Sequence, residues 1–106
     1  MKSITAIIRP TKLGAVKDGL RLVGIEMLTV TRVMGCGRRN DTGSRSVDTP
    51  GEENLLNKTR LEIMVADHLV KKTVEAIVRH GRTGATGDGK IFVMDAPQFT
   101  RISTAG

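Results

Sequence analysis

Residues 59–94 read TRLEIMVADHLVKKTVEAIVRHGRTGATGDGKIFVM, and they combine two hydrophobic periods in succession. Apolar and polar residues alternate from Thr59 to Val65, which predicts a strand with one buried face. The apolar residues from Leu69 to Val78 recur at helical spacing, with Asp67 as the predicted N-cap. A short apolar run from Ile91 to Met94 then predicts a further strand. The stretch therefore predicts a strand, a helix, a loop and a strand.

The first third of the chain repeats this order. A β-branched run from Ser3 to Arg9 predicts a strand, and Thr11 is the predicted cap of a helix from Leu13 to Val23. Gly24 is the predicted end of that helix. Ile25 to Met34 predicts a second strand whose apolar residues do not strictly alternate, which is typical of a sheet covered on both faces.

The predicted order of strand, helix, strand, strand, helix, strand is that of the split βαβ unit. It indicates an α+β domain of the ferredoxin-like βαββαβ class, with an antiparallel four-stranded sheet and both helices on one face. At 106 residues the chain is long enough for one such domain, residues 1–106. An apolar sheet face left bare by this topology predicts a symmetric homo-oligomer.

The connection at about residues 82–90 is rich in glycine and ends on Lys90. Glycine permits positive φ and lets a ligand approach the backbone, so such a loop can form an anion-binding nest with a lysine at its rim. Lys90 is followed by Ile91, so the loop does not match a P-loop. A tight helix-to-strand connection that needs glycine for its geometry alone is the alternative interpretation.

A second unusual segment, about residues 37–57, breaks every hydrophobic period. More than about 15 residues without periodic structure in a small domain is typical of a functional loop. We therefore interpret the segment as a long exposed loop. Its base carries Gly35-Cys36-Gly37-Arg38-Arg39, which resembles a second anion site.

The amino-acid composition argues against a nucleic acid as the partner. The net charge is +6, but the chain has no Trp, no Tyr and two Phe, so it lacks the aromatic platforms of most single-strand and RNA binders. We expect no nucleic-acid partner.

No apolar run approaches the ~20 residues of a membrane span, so we expect no membrane-embedded segment. Cys36 is a lone cysteine, which fits a cytoplasmic location. His68 and His80 lack metal-site spacing, so no metal ligand is predicted.

The chain resembles the PII-type nitrogen-regulatory signal proteins over essentially its whole length. The residues that carry the resemblance are Ala6-Ile7-Ile8-Arg9-Pro10, Thr29-Val30-Thr31, Gly35-x-Gly37-Arg38, Leu61-Glu62-Ile63, Arg82-Thr83-Gly84 and Gly87-Asp88-Gly89-Lys90-Ile91-Phe92-Val93. The resemblance implies a non-catalytic homotrimer that binds ATP or ADP in clefts between subunits. It also implies that the long loop, called the T-loop in this family, regulates an enzyme, transporter or channel.

The resemblance also implies roles for individual residues, all of them around the nucleotide. The phosphates would be held by Gly87, Asp88, Gly89 and Lys90, and from the T-loop base by Gly35, Gly37 and Arg38. The adenine and ribose pocket would be lined by Ile7, Thr29, Glu62 and Met64. Arg101, in the C-terminal segment 100–106, would reach in from the neighbouring subunit.

The sequence departs from the family pattern at the effector site. Arg39 stands where members that sense 2-oxoglutarate commonly have a glutamine that helps to hold Mg²⁺. A guanidinium offers only donors and cannot ligate a metal, so the sequence leaves two modes open, one that depends on Mg²⁺ and one in which the charge of Arg39 replaces the metal. Lys58 matches the family's carboxylate-binding lysine. Arg38, Arg39 and Lys58 therefore stay candidates for a small anion, either 2-oxoglutarate or bicarbonate.

Two other departures concern regulation. The T-loop has no tyrosine, so the customary tyrosine modification is excluded, and Ser103 replaces an arginine common in the family.

The alternative from another class is a small enzyme on the same scaffold that handles phosphoryl or acyl groups. That enzyme would need a base beside the anion nest, where Asp88 is the nearest candidate.

Overall fold

Four strands and two α-helices make up the computed structural model, which describes residues 1–36 and 55–105. The strands are β1 (Lys2–Ile8), β2 (Thr29–Cys36), β3 (Leu55–Val65) and β4 (Gly89–Asp95), and the helices are α1 (Leu13–Val23) and α2 (Val70–Gly81). Short 3-10 turns cover Pro10–Lys12, Asp67–Leu69 and Ile102–Thr104. The predicted βαββαβ order is confirmed.

The strands form one sheet in the order β2-β3-β1-β4, and each neighbouring pair is antiparallel. This is the ferredoxin-like arrangement that the element order predicts. The register places Ile7 of β1 between Arg60 of β3 and Lys90 of β4. Residues that are far apart in sequence therefore meet in rows that run across the sheet.

The core lies between the two helices and one face of the sheet. Alternate residues of β1 and β3 are buried against the helices, which confirms the predicted alternation in β3. Burying one such aliphatic side chain stabilises the fold by about 1.5–3 kcal/mol. The buried apolar residues are Ile4, Ala6, Ile8, Val16, Leu20, Leu61, Ile63, Val65, Ala76 and Ile77.

Helix α1 ends at the predicted glycine. Gly24 has φ of 95°, its N–H donates to the carbonyl of Arg21, and the N–H of Ile25 donates to the carbonyl of Leu20. These two bonds form a Schellman motif, which turns the chain back over the helix end. Ile25 therefore packs on the core instead of starting a strand, and β2 begins at Thr29. The predicted strand start at residue 25 is wrong for this reason.

Both predicted helix caps are wrong. Thr11 lies inside a 3-10 turn, and the residue that precedes α1 is Lys12, with no capping bond from its side chain. Asp67 begins another 3-10 turn, and its carboxylate pairs with the N-terminal ammonium of Met1 at 3.0 Å. In both cases the 3-10 turn takes the place of a side-chain cap.

The hairpin of β2 and β3 is longer than its sequence predicts. β3 begins at Leu55, and its register with β2 runs from Thr29 opposite Glu62 to Cys36 opposite Leu55. The predicted loop boundary at residue 57 is therefore wrong, because residues 55–57 are in the strand. The rest of that predicted loop lies outside the described residues.

The second face of the sheet is open in the single chain, so one chain does not provide the cover expected on both faces of β2, and its cover in an oligomer stays a prediction. One row on this face joins Thr29, Glu62, Thr5 and Phe92. The next row joins Thr31, Arg60, Ile7 and Lys90. Phe92 is 48% exposed and Met94, on the same face of β4, is 58% exposed. Among the described residues, no helix is both long and apolar enough to cross a membrane.

We predict opposite effects for alanine at two glycines of α1. A Cβ at Gly14 would meet no atom within 4 Å, so Gly14→Ala should stabilise the fold by up to about 1 kcal/mol. A Cβ at Gly19 would stand 2.2 Å from Cδ2 of His80, so Gly19→Ala must displace the imidazole and should destabilise the fold. Denaturant unfolding of both variants measures the difference. Equal gains in both would contradict the packing of α1 against His80.

Candidate functional site

The glycine loop needs glycine at three positions. Gly84, Gly87 and Gly89 have φ of 92°, 100° and 114°, where other residues are strained. At Gly89 the requirement is also steric, because a Cβ would stand 1.8 Å from the carbonyl oxygen of Ile7. The loop therefore crosses the end of β1 in close backbone contact.

Asp88 organises this loop from within. Its Oδ2 accepts the N–H groups of Thr83 and Gly84, both at 2.9 Å. Its Oδ1 accepts the hydroxyl of Thr83 at 2.5 Å and Nε of Arg9 at 2.9 Å. The hydroxyl of Thr83 and then the guanidinium of Arg9 hold the pKa of this carboxyl well below its usual range. Asp88 is therefore an ionised structural acceptor, which argues against a role as catalytic base.

Two cations hold the carbonyls of the same loop. Nη2 of Arg9 donates to the carbonyl of Thr86 at 2.8 Å, and Nζ of Lys58 donates to the carbonyl of Gly87 at 2.5 Å. Burial lowers the pKa of Lys58, and the neighbouring charge of Arg9 lowers it further. The loop is thus fixed to β1 through Arg9 and to β3 through Lys58.

The predicted phosphate-binding residues lie around this loop. Asp88, Gly89 and Lys90 line one cavity of about 360 Å³ at the border of β4 and α2, together with Ile7, which is predicted for the adenine pocket. Gly87 adjoins it and contacts Arg9 and Lys58.

The predicted residues of the T-loop base are only partly described. Gly35 lies in β2, where a Cβ would come 3.3 Å from Cγ of Lys58. Gly37, Arg38 and Arg39 lie outside the described residues, so of the predicted effector residues only Lys58 has a described position.

The remaining predicted residues form a second group. Thr29, Glu62, Met64 and Arg101 line a separate cavity of about 300 Å³ together with Phe99. The guanidinium carbon of Arg101 lies 5.6 Å from the centre of the Phe99 ring, a cation–π distance. Arg101 therefore shares a cavity with Thr29 and Glu62 of its own chain, whereas Ile7 lines the cavity beside the glycine loop. The single adenine pocket expected for these residues is divided within one subunit.

Three residues of the site were not predicted. Arg9 and Thr83 bind Asp88, and Phe99 lies beneath Arg101. Arg9 was visible in the sequence as the residue before Pro10, at the end of a strand. Its proximity to Asp88 follows from the pairing of β1 with β4, which places Ile8 opposite Gly89.

Comparison with known proteins identifies the family. The profile of the family described as Nitrogen regulatory protein P-II matches residues 1–106. The chain belongs to the P-II family. The Nitrogen regulatory protein P-II of Rhizobium etli is 43% identical over 104 residues, which cover 98% of this chain and 93% of that protein. Nitrogen regulatory protein P-II 1 of Escherichia coli strain K12 is 42% identical, and the P-II protein of Porphyra purpurea is 41% identical, each with the same coverage.

Membership confirms the family resemblance and the broad role that it implies. P-II proteins are regulatory signal-transduction proteins of nitrogen metabolism, and they are not enzymes. The ionised and fully bonded carboxylate of Asp88 agrees with this, because the residue nearest to a catalytic base in this P-II chain is bound into its own loop.

Alanine substitutions at Gly84 and Gly89 of the P-II glycine loop distinguish the cost of a positive φ from the cost of a steric clash. Gly84→Ala meets no atom within 4 Å and should cost about 1–2 kcal/mol through its positive φ alone. Gly89→Ala has the same type of strain and also meets the carbonyl of Ile7, so it should cost clearly more. Urea unfolding measures both values. Equal costs would mean that β4 does not contact β1 as closely as described.

Asp88 should make this P-II fold sensitive to acid. Its pKa in the folded state is below the usual value of 3.8, so its bonds stabilise the fold above about pH 4 and this contribution is lost as pH falls further. The stability difference between the wild type and Asp88→Asn should therefore stay constant from pH 6 to about pH 4.5 and shrink as the pH falls from about 4 to about 2.5. Urea unfolding across this range measures it.

The exposed Asp18, whose contact in the described residues is Arg21 at 3.3 Å, offers the matched control Asp18→Asn. A difference for Asp88→Asn that stays constant with pH would contradict the ionised network.

Proposed function

We propose that this P-II chain acts as a homotrimer that binds ATP or ADP between subunits and regulates a partner protein through its T-loop. The observation that carries the proposal is the geometry of the glycine loop. Positive φ at its three glycines curves the loop, and Gly84 leaves open space at its backbone because a Cβ there would meet no atom within 4 Å. Asp88 fixes the shape of the loop, and Lys90 adds a positive charge at the rim. This combination suits a polyphosphate.

The division of the site supports a position between subunits. The loop residues and the group of Thr29, Glu62, Met64 and Arg101 line different cavities of one chain. A nucleotide that needs both groups would take the loop from one subunit and the second group from its neighbour. The proposed ligand thus gains its complete site only in the oligomer.

The open sheet face supports oligomer formation. Phe92 and Met94 are about half exposed on that face, and Ile102 near the C-terminus is 93% exposed. Covering these residues with other copies of the chain would remove apolar surface from water at about 25 cal/mol per Å². The trimeric form is taken from the family to which the chain belongs.

An effector anion is the second part of the proposal. Lys58 is a partly buried cation beside Arg9, so a carboxylate or bicarbonate bound there would relieve the repulsion between the two. Arg38 and Arg39 would add charge to that site. We propose no Mg²⁺ ligand, because the residue at position 39 is an arginine.

Calorimetric titration with ATP and with ADP tests the function, with Lys90→Ala as the variant. We expect the wild type to bind both, and the variant to bind about 10–100-fold more weakly, since a charged hydrogen bond to phosphate contributes about 1.5–3 kcal/mol. Lys72→Ala, an exposed lysine on α2, is the matched control and should bind as the wild type does. Sedimentation checks that each protein keeps the trimer mass.

Three outcomes would contradict the proposal in different ways. No nucleotide binding by the wild type would reject the sensing role. Binding with monomeric mass would reject the site between subunits. Steady hydrolysis of ATP that is lost in Asp88→Asn would favour the small-enzyme alternative.

A further inference from the structure

We propose that Arg9 is a positioning residue of the nucleotide loop, which orients the peptide groups that face the phosphates. The inference rests on the proposed nucleotide site. Arg9 is in neither of the two groups of site residues, and it acts through Thr86, Gly87 and Asp88.

The backbone of Arg9 is well suited to hold a side chain still. Arg9 follows β1 directly, and the next residue, Pro10, restricts it to an extended conformation, observed as φ −67° and ψ 137°. Its carbonyl accepts the N–H of Lys12 at 3.0 Å. The guanidinium thus projects from a fixed point at the end of the central strand pair.

The guanidinium uses two of its donors on two different groups of the loop. Nε donates to the carboxylate of Asp88 at 2.9 Å, and Nη2 donates to the carbonyl of Thr86 at 2.8 Å. Nη2 also lies 3.3 Å from the position that a Cβ of Gly87 would take, so the group fills the space beside this glycine. A single side chain therefore fixes both the carboxylate and the backbone of the loop.

Fixing a carbonyl also fixes the next amide. In a planar trans peptide the C=O and N–H groups point in opposite directions. The carbonyl of Thr86 points at Arg9, so the N–H of Gly87 points away from it. Lys58 holds the carbonyl of Gly87 in the same way, so the N–H of Asp88 points away from Lys58. Arg9 and Lys58 lie on one side of the loop, and they thus direct the N–H groups of Gly87 and Asp88 towards its opposite side.

Lysine cannot replace arginine in this role. A guanidinium presents several donors in a rigid plane, whereas an ammonium is a point charge on a flexible stem. Arg9→Lys keeps the charge but can hold only one of the two acceptors firmly. This variant therefore separates positioning from simple electrostatic attraction of the phosphates.

The first test needs no nucleotide. Amide hydrogen exchange is compared for the wild type, Arg9→Lys, Arg9→Gln and the control Arg21→Gln, which alters an exposed arginine of α1. We expect exchange at Thr83 and Gly84, whose amides bind Asp88, to be about 10–100-fold faster in both Arg9 variants, as for the loss of one charged bond. Exchange in β1 and β3 should not change, which shows that the variants are folded.

The second test measures the phosphate-dependent part of the affinity. Calorimetry with ADP and with AMP should show about 5–10-fold weaker ADP binding in Arg9→Lys and a smaller loss for AMP, because the extra phosphate needs the oriented amides. Arg21→Gln should bind both as the wild type does.

Each result decides the proposal. Faster loop exchange together with a selective loss of ADP affinity in Arg9→Lys supports positioning. Arg9→Lys that equals the wild type in exchange and in binding overturns it and leaves charge alone as the role of Arg9. If the wild type binds neither nucleotide, the proposed function fails, and unchanged loop exchange in the Arg9 variants would reject the positioning role separately.

Discussion

The close approach of Gly89 to the carbonyl of Ile7 is the constraint on which the site depends. β4 begins at this glycine and pairs with β1 from Ile8 onwards, so the chain must enter the sheet across the end of β1. A side chain at position 89 would push the loop outwards. Because the loop backbone lies against the end of β1, the carboxylate of Asp88 is within hydrogen-bond distance of Arg9, and the carbonyl of Gly87 is within hydrogen-bond distance of Lys58. The glycine loop, the end of β1, Arg9 and Lys58 are therefore connected by direct contacts.

The fold could be predicted because its hydrophobic periods are clear. Alternation in β3 and helical spacing in α2 identify the second half, and Gly24 marks the end of α1. The errors lie at boundaries, where local geometry overrides pattern. The Schellman turn brings Ile25 onto the core, and the pairing of β2 with β3 extends β3 back to Leu55, through residues whose sequence resembles a loop.

The site was less predictable than the fold. Glycines and a terminal lysine indicate an anion loop without any knowledge of its surroundings. The bond between Arg9 and Asp88 joins residues 79 positions apart, so it depends on strand register, which a single sequence does not specify. Arg101 and Thr29 likewise line one cavity, which depends on how the C-terminal segment lies against the strand row that Thr29 and Glu62 share. The family resemblance predicted which residues belong to the nucleotide site, and the strand pairing of the sheet determines which of them lie together.

Lys58 connects this loop to the part of the chain where regulation is proposed. It lies opposite Val33 in the β2–β3 hairpin, whose strands lead into residues 37–54. Its ammonium is held on the carbonyl of Gly87 although burial and the charge of Arg9 both disfavour its charged form. An anion that binds Lys58 would compensate this cost, and it would have to displace or share the bond to Gly87. In the proposed function, the orientation of the glycine loop and the occupancy of the proposed anion site would therefore depend on the same cation, and a change in one would affect the other.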